Sequence, residues 1–313
     1  MIQSIKDKIK QWLSNSFSFT KKVCLPGFEG ISVYETSIYL YNGLKKNSII
    51  DRAYSISYKF LIASFPLIIF LFSLIPHIPI TGLQDEILQS ILSAMPDQLS
   101  SYLKGFFEDL LLHKKTAILS LGFLLTIFFA SNTMNAVLKG FSSSYHLNRM
   151  KRKSIHIRLW SIALMFIFGT ILILASLVFI LGGLLIDYLQ ETAFIQSSIE
   201  IWAVWLIEWI LIFLLFIIAV SILYNVGNAE KEKWKFFSPG VIFSSIMIWL
   251  FSEAFSFFLT YIAPFNKLYG SLGTIIILLL FIYYFFAILL IGFELNLSIQ
   301  SASKMKKIKQ SST

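Results

Sequence analysis

Six polar side chains interrupt the long apolar stretches of this 313-residue chain, and they are the groups with which it could do chemistry: Lys59, Asn132, Asn135, Glu208, Glu253 and Glu294. A charge at the middle of a bilayer costs ~2.5 to 3.5 kcal/mol on insertion scales, so it is kept where it is paired, protonated or wetted. Between helices such groups can line a polar path for a substrate or a proton. They can equally be polar glue that fixes helix register, worth about 0.6 kcal/mol per hydrogen bond. At ~1.5 Å of rise per residue, Glu208 and Glu253 fall at matching depth on one side of the midplane, where two ionised carboxylates would repel. Lys59, Asn132 and Asn135 fall on the other side, with Glu294 near that interface. A snorkelling Lys59 would reach Glu294 and the two asparagines, making one inner polar cluster. Asn132 and Asn135, three residues apart, face one way on their helix, with Ser131 beside them.

No catalytic constellation accompanies these groups. Hydrolysis of a phosphodiester would need a carboxylate or histidine cluster holding a metal, or an acid and base in a wet cleft. The four histidines, His77, His113, His146 and His156, are scattered, and no HExxH, CxxC or phosphate-cradling glycine loop is present. The single cysteine, Cys24, forms no internal disulfide and reads as a small apolar residue. No catalytic residue, metal or cofactor is therefore expected.

The elements that must carry the polar groups are six apolar stretches, at about 53–75, 116–138, 159–186, 201–224, 236–263 and 269–297. Each reaches the ~20 residues that span hydrocarbon. Two contain no charge, and Lys59, Glu208, Glu253 and Glu294 are the single charges of the other four. With 57% hydrophobic and 14% charged residues, the expected fold class is an all-α polytopic membrane protein, a six-helix transmembrane bundle. Its organisation is expected to be a cytoplasmic N-terminal segment at 1–52, the transmembrane domain at 53–299 and a basic tail at 300–313.

Charge sets the orientation. Of the 26 lysines and arginines, only Lys104, Lys114, Lys115 and Lys267 fall in the outer connections when the N-terminus is placed inside. The positive-inside rule then puts both termini in the cytoplasm. Asp85, Glu86, Asp97, Glu108, Asp109, Asp187, Glu191 and Glu200 lie in the outer connections, so the formal +9 is dipolar across the membrane.

Outside the spans, Ile2, Ile5, Ile9, Trp12 and Leu13 gather on one helical face, either as a basic amphipathic helix on anionic lipid or as a solvated tail. A second amphipathic element is expected at 32–46. The outer stretch 76–115 carries two helical repeats, Leu83 to Leu92 and Leu99 to Leu110, punctuated by Pro76, Pro79, Gly82 and Pro96. They imply a helical cap over the outer mouth. Pro66 is expected to kink the first span. Gly270 and Gly273 open the last helix with a small-residue face for close packing, and Gly182-Gly183 could do the same on the third. Trp160, Trp202, Trp205 and Trp234 read as interfacial anchors.

Three segments carry a family resemblance: 58–72 (YKFLIASFPLIIFLF), the run from Ser131-Asn132 to Tyr145 followed by Arg149, Lys151, Arg152, Lys153 and Arg158, and 269–296, which opens on YGSLG and closes on GFELN. Over about 27–299 the chain resembles the YihY/BrkB family of bacterial inner-membrane proteins. The resemblance implies six transmembrane helices, cytoplasmic termini and the bacterial cytoplasmic membrane. Family labels include virulence factor, transporter and tRNA-processing ribonuclease, the last a misassignment that these residues do nothing to support.

Two function classes follow. One is a transporter or flippase-like envelope protein for a solute or lipid. The other is a non-transporting envelope scaffold that binds a partner through the outer cap. A ribonuclease comes third. Expected partners are membrane lipids, anionic ones at the cytoplasmic face, with a homo-oligomer or an envelope protein as further options. Nucleic acid is not expected, because anionic lipid lies nearer to the 149–158 cations and explains them.

Overall fold

The computed structural model describes residues 27–46, 48–78, 82–93, 104–105, 107–109, 111–144, 154–191, 198–228, 235–261 and 271–311. The described elements are helical: α1 (Val33–Lys46), α2 (Ile49–Leu74), a short 3-10 turn (Ile75–His77), α3 (Leu83–Ser93), α4 (Thr116–Ser142), α5 (Ser154–Glu191), α6 (Ser198–Gly227), α7 (Pro239–Tyr261) and α8 (Ser271–Ser311). Six of them, α2 and α4 to α8, are long and apolar enough to cross a membrane. The expected 2–13 helix, Cys24, His146, Trp234, Lys267 and Gly270 lie outside the described residues.

Helix starts follow local chemistry. Ser32 accepts a hydrogen bond from the Glu35 backbone N–H at 3.2 Å, one arm of a capping box that begins α1. Ser48 caps α2 through the Asp51 N–H at 3.2 Å, and Asp51 adds its charge to the positive end of the helix. Pro239 begins α7, where its missing N–H costs nothing. The helix α2 runs on through Pro66.

The membrane helices close into a ring. In chain order α2 packs on α4, α4 on α5, α5 on α6, α6 on α7 and α7 on α8, and α8 returns to α2. Helix α1 lies along α8. The last helix passes 299 without a break and ends at Ser311, so the basic tail is helical as far as Ser311 and continuous with the last span.

The hydrophobic core sits toward one end of the ring, where α2, α5 and α7 begin and α4, α6 and α8 end. That end, here called the basic end, is plugged by Phe141, Tyr224 and Phe293. Phe141 stacks on Phe293 with ring centres 4.1 Å apart, and Tyr224 meets both edge-on. At the far end the expected outer cap is present in part: α3 is formed, and Leu88, Phe107 and Leu111 make a small second core against Phe72 and Ile75.

The tightest crossing in the ring joins α7 to α8. A Cβ built on Gly240 would overlap the Gly292 carbonyl oxygen and the Asn296 side chain, and one on Gly292 would overlap the Ser244 hydroxyl. Gly240 and Ser244 are one turn apart, the small-xxx-small spacing that lets backbones approach. Gly273, from the expected small-residue face, is buried, but the close approach is made further along the helix, at Gly292. Gly292→Ala is therefore expected to destabilise the protein by about 1 to 3 kcal/mol, the range for overpacking. Thermal unfolding in detergent measures it, and an unchanged Tm would remove the crossing as a constraint.

Candidate functional site

At the basic end Glu294 is fully enclosed, with no solvent exposure. Its Oε1 accepts from Arg52 Nη2 at 2.9 Å, and its Oε2 accepts from the Ser144 hydroxyl at 2.6 Å. Arg52 also donates from Nη1 to the Gly140 carbonyl at 2.8 Å, satisfying one of the carbonyls left open at the end of α4. One ion pair thus ties α2, α4 and α8.

A second polar layer lies beside it. Asn296, on α8, accepts from the Gly240 N–H at 2.7 Å and donates to the Ser238 hydroxyl at 2.8 Å, capping α7 from another helix. Tyr224 donates to the Leu289 carbonyl at 2.6 Å and pairs with Ser244 at 2.6 Å. Around them is a chamber of about 70 Å³, walled by Ser221, Asn225, Asn228, Ser238, Asn296 and Gln300 and floored by Tyr224 and Phe293. The turn at 27–30 forms its rim. Gly27, Glu29 and Gly30 all have positive φ, and Gly27 abuts the Pro239 ring. Glu29 pairs with Lys235, and Lys306 donates to the Gly30 carbonyl at 2.9 Å. Partial burial pushes the Glu29 carboxyl up, but the hydrogen bonds from Lys235 and Ser303 and the charges of Lys235 and Lys307 outweigh it, leaving Glu29 below its ordinary value of 4.5.

Beyond the aromatic plug the bundle is apolar. A half-open cavity of about 380 Å³ lies within the ring, lined from five helices by residues including Phe60, Met134, Phe168, Ala219 and Phe286. Thr133, its one polar lining residue, is satisfied by the Phe129 carbonyl. A second cavity of about 710 Å³ opens between α6 and α7 and is backed by α8. Ile212, Phe216, Phe281 and Phe285 line both cavities and form the wall between them. The exposed Trp209 and Trp249 belong to the rim of the outer cavity, and the Ser245 hydroxyl is buried in its lining with no hydrogen-bond partner among the described residues.

The inner cluster expected around Lys59 is corrected in its membership. Glu294 takes Arg52 as its partner, and Asn132 accepts from Arg158 Nη1 at 2.6 Å, tying α4 to α5. Lys59 is exposed on the outside of α2. Depth along a helix was readable from the sequence, whereas direction around it was not, and Lys59 faces away from the bundle. Asn135 is half-buried. Glu208 is half-buried against α5, where its carboxylate occupies the space a Cβ on Gly182 would need. Glu253 is exposed on α7, and neither glutamate lines a cavity described above.

Missed at the sequence level were Arg52, Ser144, Tyr224 and Ser244, and the chamber amides Asn225, Asn228, Asn296 and Gln300. The amides did carry a signal: Asn225 and Asn228 are three apart, and Asn296 and Gln300 four apart, at the same ends of two apolar spans. Among the described residues no group of three or more His, Cys, Asp or Glu side chains could hold a metal ion.

A ring of six apolar helices with a polar basic end defines an all-α, multi-pass membrane protein. Residues 40–313 match the family described as Virulence factor BrkB, and the chain belongs to that family. It is similar to the ribonuclease-like protein YfkH of Bacillus subtilis (strain 168), with 27% identity over 259 residues covering 82% of this chain and 91% of the relative. No solved structure matches it.

Two measurements test the site. Arg52→Met leaves the enclosed Glu294 charge alone and is expected to cost about 3 to 5 kcal/mol, with much of it recovered in the Arg52→Met/Glu294→Leu double variant. Equal unfolding of Arg52→Met and the parent would show that the pair holds nothing. The second concerns acid. Because the Glu29 carboxyl is held below its ordinary value of 4.5, its contribution is fully present above that pH and is lost as pH falls through the lower, folded value. Protection of the 27–31 amides, referenced to the intrinsic exchange rate at each pH, should therefore fall below pH 4.5, and Glu29→Gln should be poorly protected at every pH.

Proposed function

We propose that this protein moves a lipid or other amphiphile across or within the bacterial inner membrane, with its basic end in the cytoplasm. The observation carrying this reading is the sequence of environments along the ring: a hydrogen-bonding chamber at one end, then an aromatic plug, then apolar space that reaches the lipid through the α6–α7 opening. A hydrophilic solute would find no hydrogen bonds in the interior cavity, whose lining is apolar except for one satisfied threonine. An acyl chain needs none, and the 710 Å³ of the lateral cavity falls in the ~300–1,000 Å³ range of ligand pockets. The orientation rests on the lysines and arginines gathered at the end where α2 begins and α8 finishes.

The family relative is named ribonuclease-like, but a nuclease reading finds little here to work with. His77 lies against the Ser73 carbonyl and His113 beside Asp109, both at the far end, while His156 is exposed at the basic end. We therefore read the protein as a non-enzymatic membrane component. Glu253 and Glu208 act in this reading as surface and packing groups.

The test is flux of a tail-labelled fluorescent phospholipid in reconstituted vesicles. Ala219→Phe, which narrows the interior cavity, should slow it at least about tenfold, equivalent to about 1.4 kcal/mol on the barrier. Glu253→Gln should leave it unchanged. Lipid flux indifferent to Ala219→Phe would overturn the proposal, as would passage of a soluble sugar without lipid. Absence of any flux, together with a partner retained only while the 76–115 cap is intact, would establish the scaffold alternative.

A further inference from the structure

We propose that the chamber at the basic end is a binding site for an uncharged polyol group of glycerol size. The proposal rests on the amphiphile reading above for its biological setting, but not for its chemistry, which comes from the walls. Asn225, Asn228, Asn296, Gln300, Ser221 and Ser238 line a space of about 70 Å³, roughly that of five water molecules. That volume admits a three-carbon triol.

Charge decides the class of ligand. The charged residues lining the chamber are Glu29 and Lys235, and they are paired with each other. The described lining is therefore neutral, and the nearby cations are already engaged at the rim, Lys306 by the Gly30 carbonyl and Lys307 by the charge of Glu29, so a phosphate or ammonium group would meet amides and hydroxyls rather than an unpaired counter-charge. Carboxamides and hydroxyls both donate and accept, so they match a ligand whose groups also do both. A phosphate could only accept and an ammonium could only donate.

Part of this hydrogen-bonding capacity is already engaged. Asn296 is spent on capping α7, and Asn228 donates to Gln300 at 3.4 Å. Asn225 makes no hydrogen bond among the described residues, although it lines the chamber. An idle amide within a half-open polar chamber at the end of a span is an arrangement that a hydroxylated ligand would complete.

Such a group could arrive as free glycerol or as the head of a glycerol-bearing lipid, and the experiment separates the two. The full chain in nanodiscs of zwitterionic phospholipid is titrated with free glycerol and with three amphiphiles sharing one tail, headed by glycerol (a monoacylglycerol), phosphate or trimethylammonium. The monoacylglycerol is expected to raise Tm and to protect the 221–228 and 296–300 segments from hydrogen exchange, with the phosphate and trimethylammonium amphiphiles at least tenfold weaker. Asn225→Leu and Gln300→Leu should each abolish the difference between heads. Saturable protection by free glycerol at concentrations similar to the monoacylglycerol identifies a solute site; protection by the monoacylglycerol alone identifies a lipid head.

Equal effects of all heads in the parent protein would overturn the proposal, whatever the variants do. So would head selectivity that survives in a folded Asn225→Leu. Because binding is read without transport, the two readings fail separately. Head-selective binding without lipid flux removes the transport reading alone, and flux without head selectivity removes this one alone.

Discussion

A carboxylate with no access to water cannot be left alone in a protein of this kind, and the basic end of the ring is arranged around that requirement. Glu294 holds α8 against α2 through Arg52 and against the end of α4 through Ser144, and the same guanidinium closes the Gly140 carbonyl. The first and last spans of the chain meet here, so the pair also closes the ring. Without it the two charges would be desolvated and uncompensated, which is worse than having neither. The pair is therefore better understood as a specification of which helices must meet than as a source of stability.

The remaining features depend on that closure. Once α8 is fixed, Gly292 lies against Gly240, Asn296 caps the start of α7, and Tyr224 reaches both Ser244 and the α8 backbone. These contacts concentrate at one end. Further along, the helices are joined by large side chains that leave apolar space, with Phe216, Phe281 and Phe285 standing between its two compartments. A tightly hydrogen-bonded base and a loosely filled upper part thus arise from one chain, and the boundary between them is the stack of Phe141, Tyr224 and Phe293.

The parts legible in the sequence were those governed by period and solvent. Apolar length alone located all six spans, and the break residues located α3 and the cap. The residues of the polar layer were only half legible. Glu294 was visible because it is a charge in an apolar run, but Arg52 stands just before its run and was read with the cations outside the membrane. Lys59, two turns later, looked the better partner because depth can be counted and rotation cannot. Pairings such as Asn296 with Gly240 join residues 56 apart in the chain, and a single sequence carries no measure of that proximity. The glycines tell the same story: Gly270 and Gly273 displayed a familiar spacing, while the crossing was built by Gly240 and Gly292, each isolated among larger residues.

The length of the final helix has a mechanical implication. Its 41 residues make a rod about 60 Å long at 1.5 Å per residue, twice the ~30 Å of hydrocarbon. One stiff body therefore contributes a wall to each of the three cavities described and carries the buried anion, while its far turns, gripped by the 27–31 turn and α1, extend toward water. Leverage applied to that protruding stem would be felt at each compartment together, giving soluble factors a handle on the membrane interior without any need to enter it.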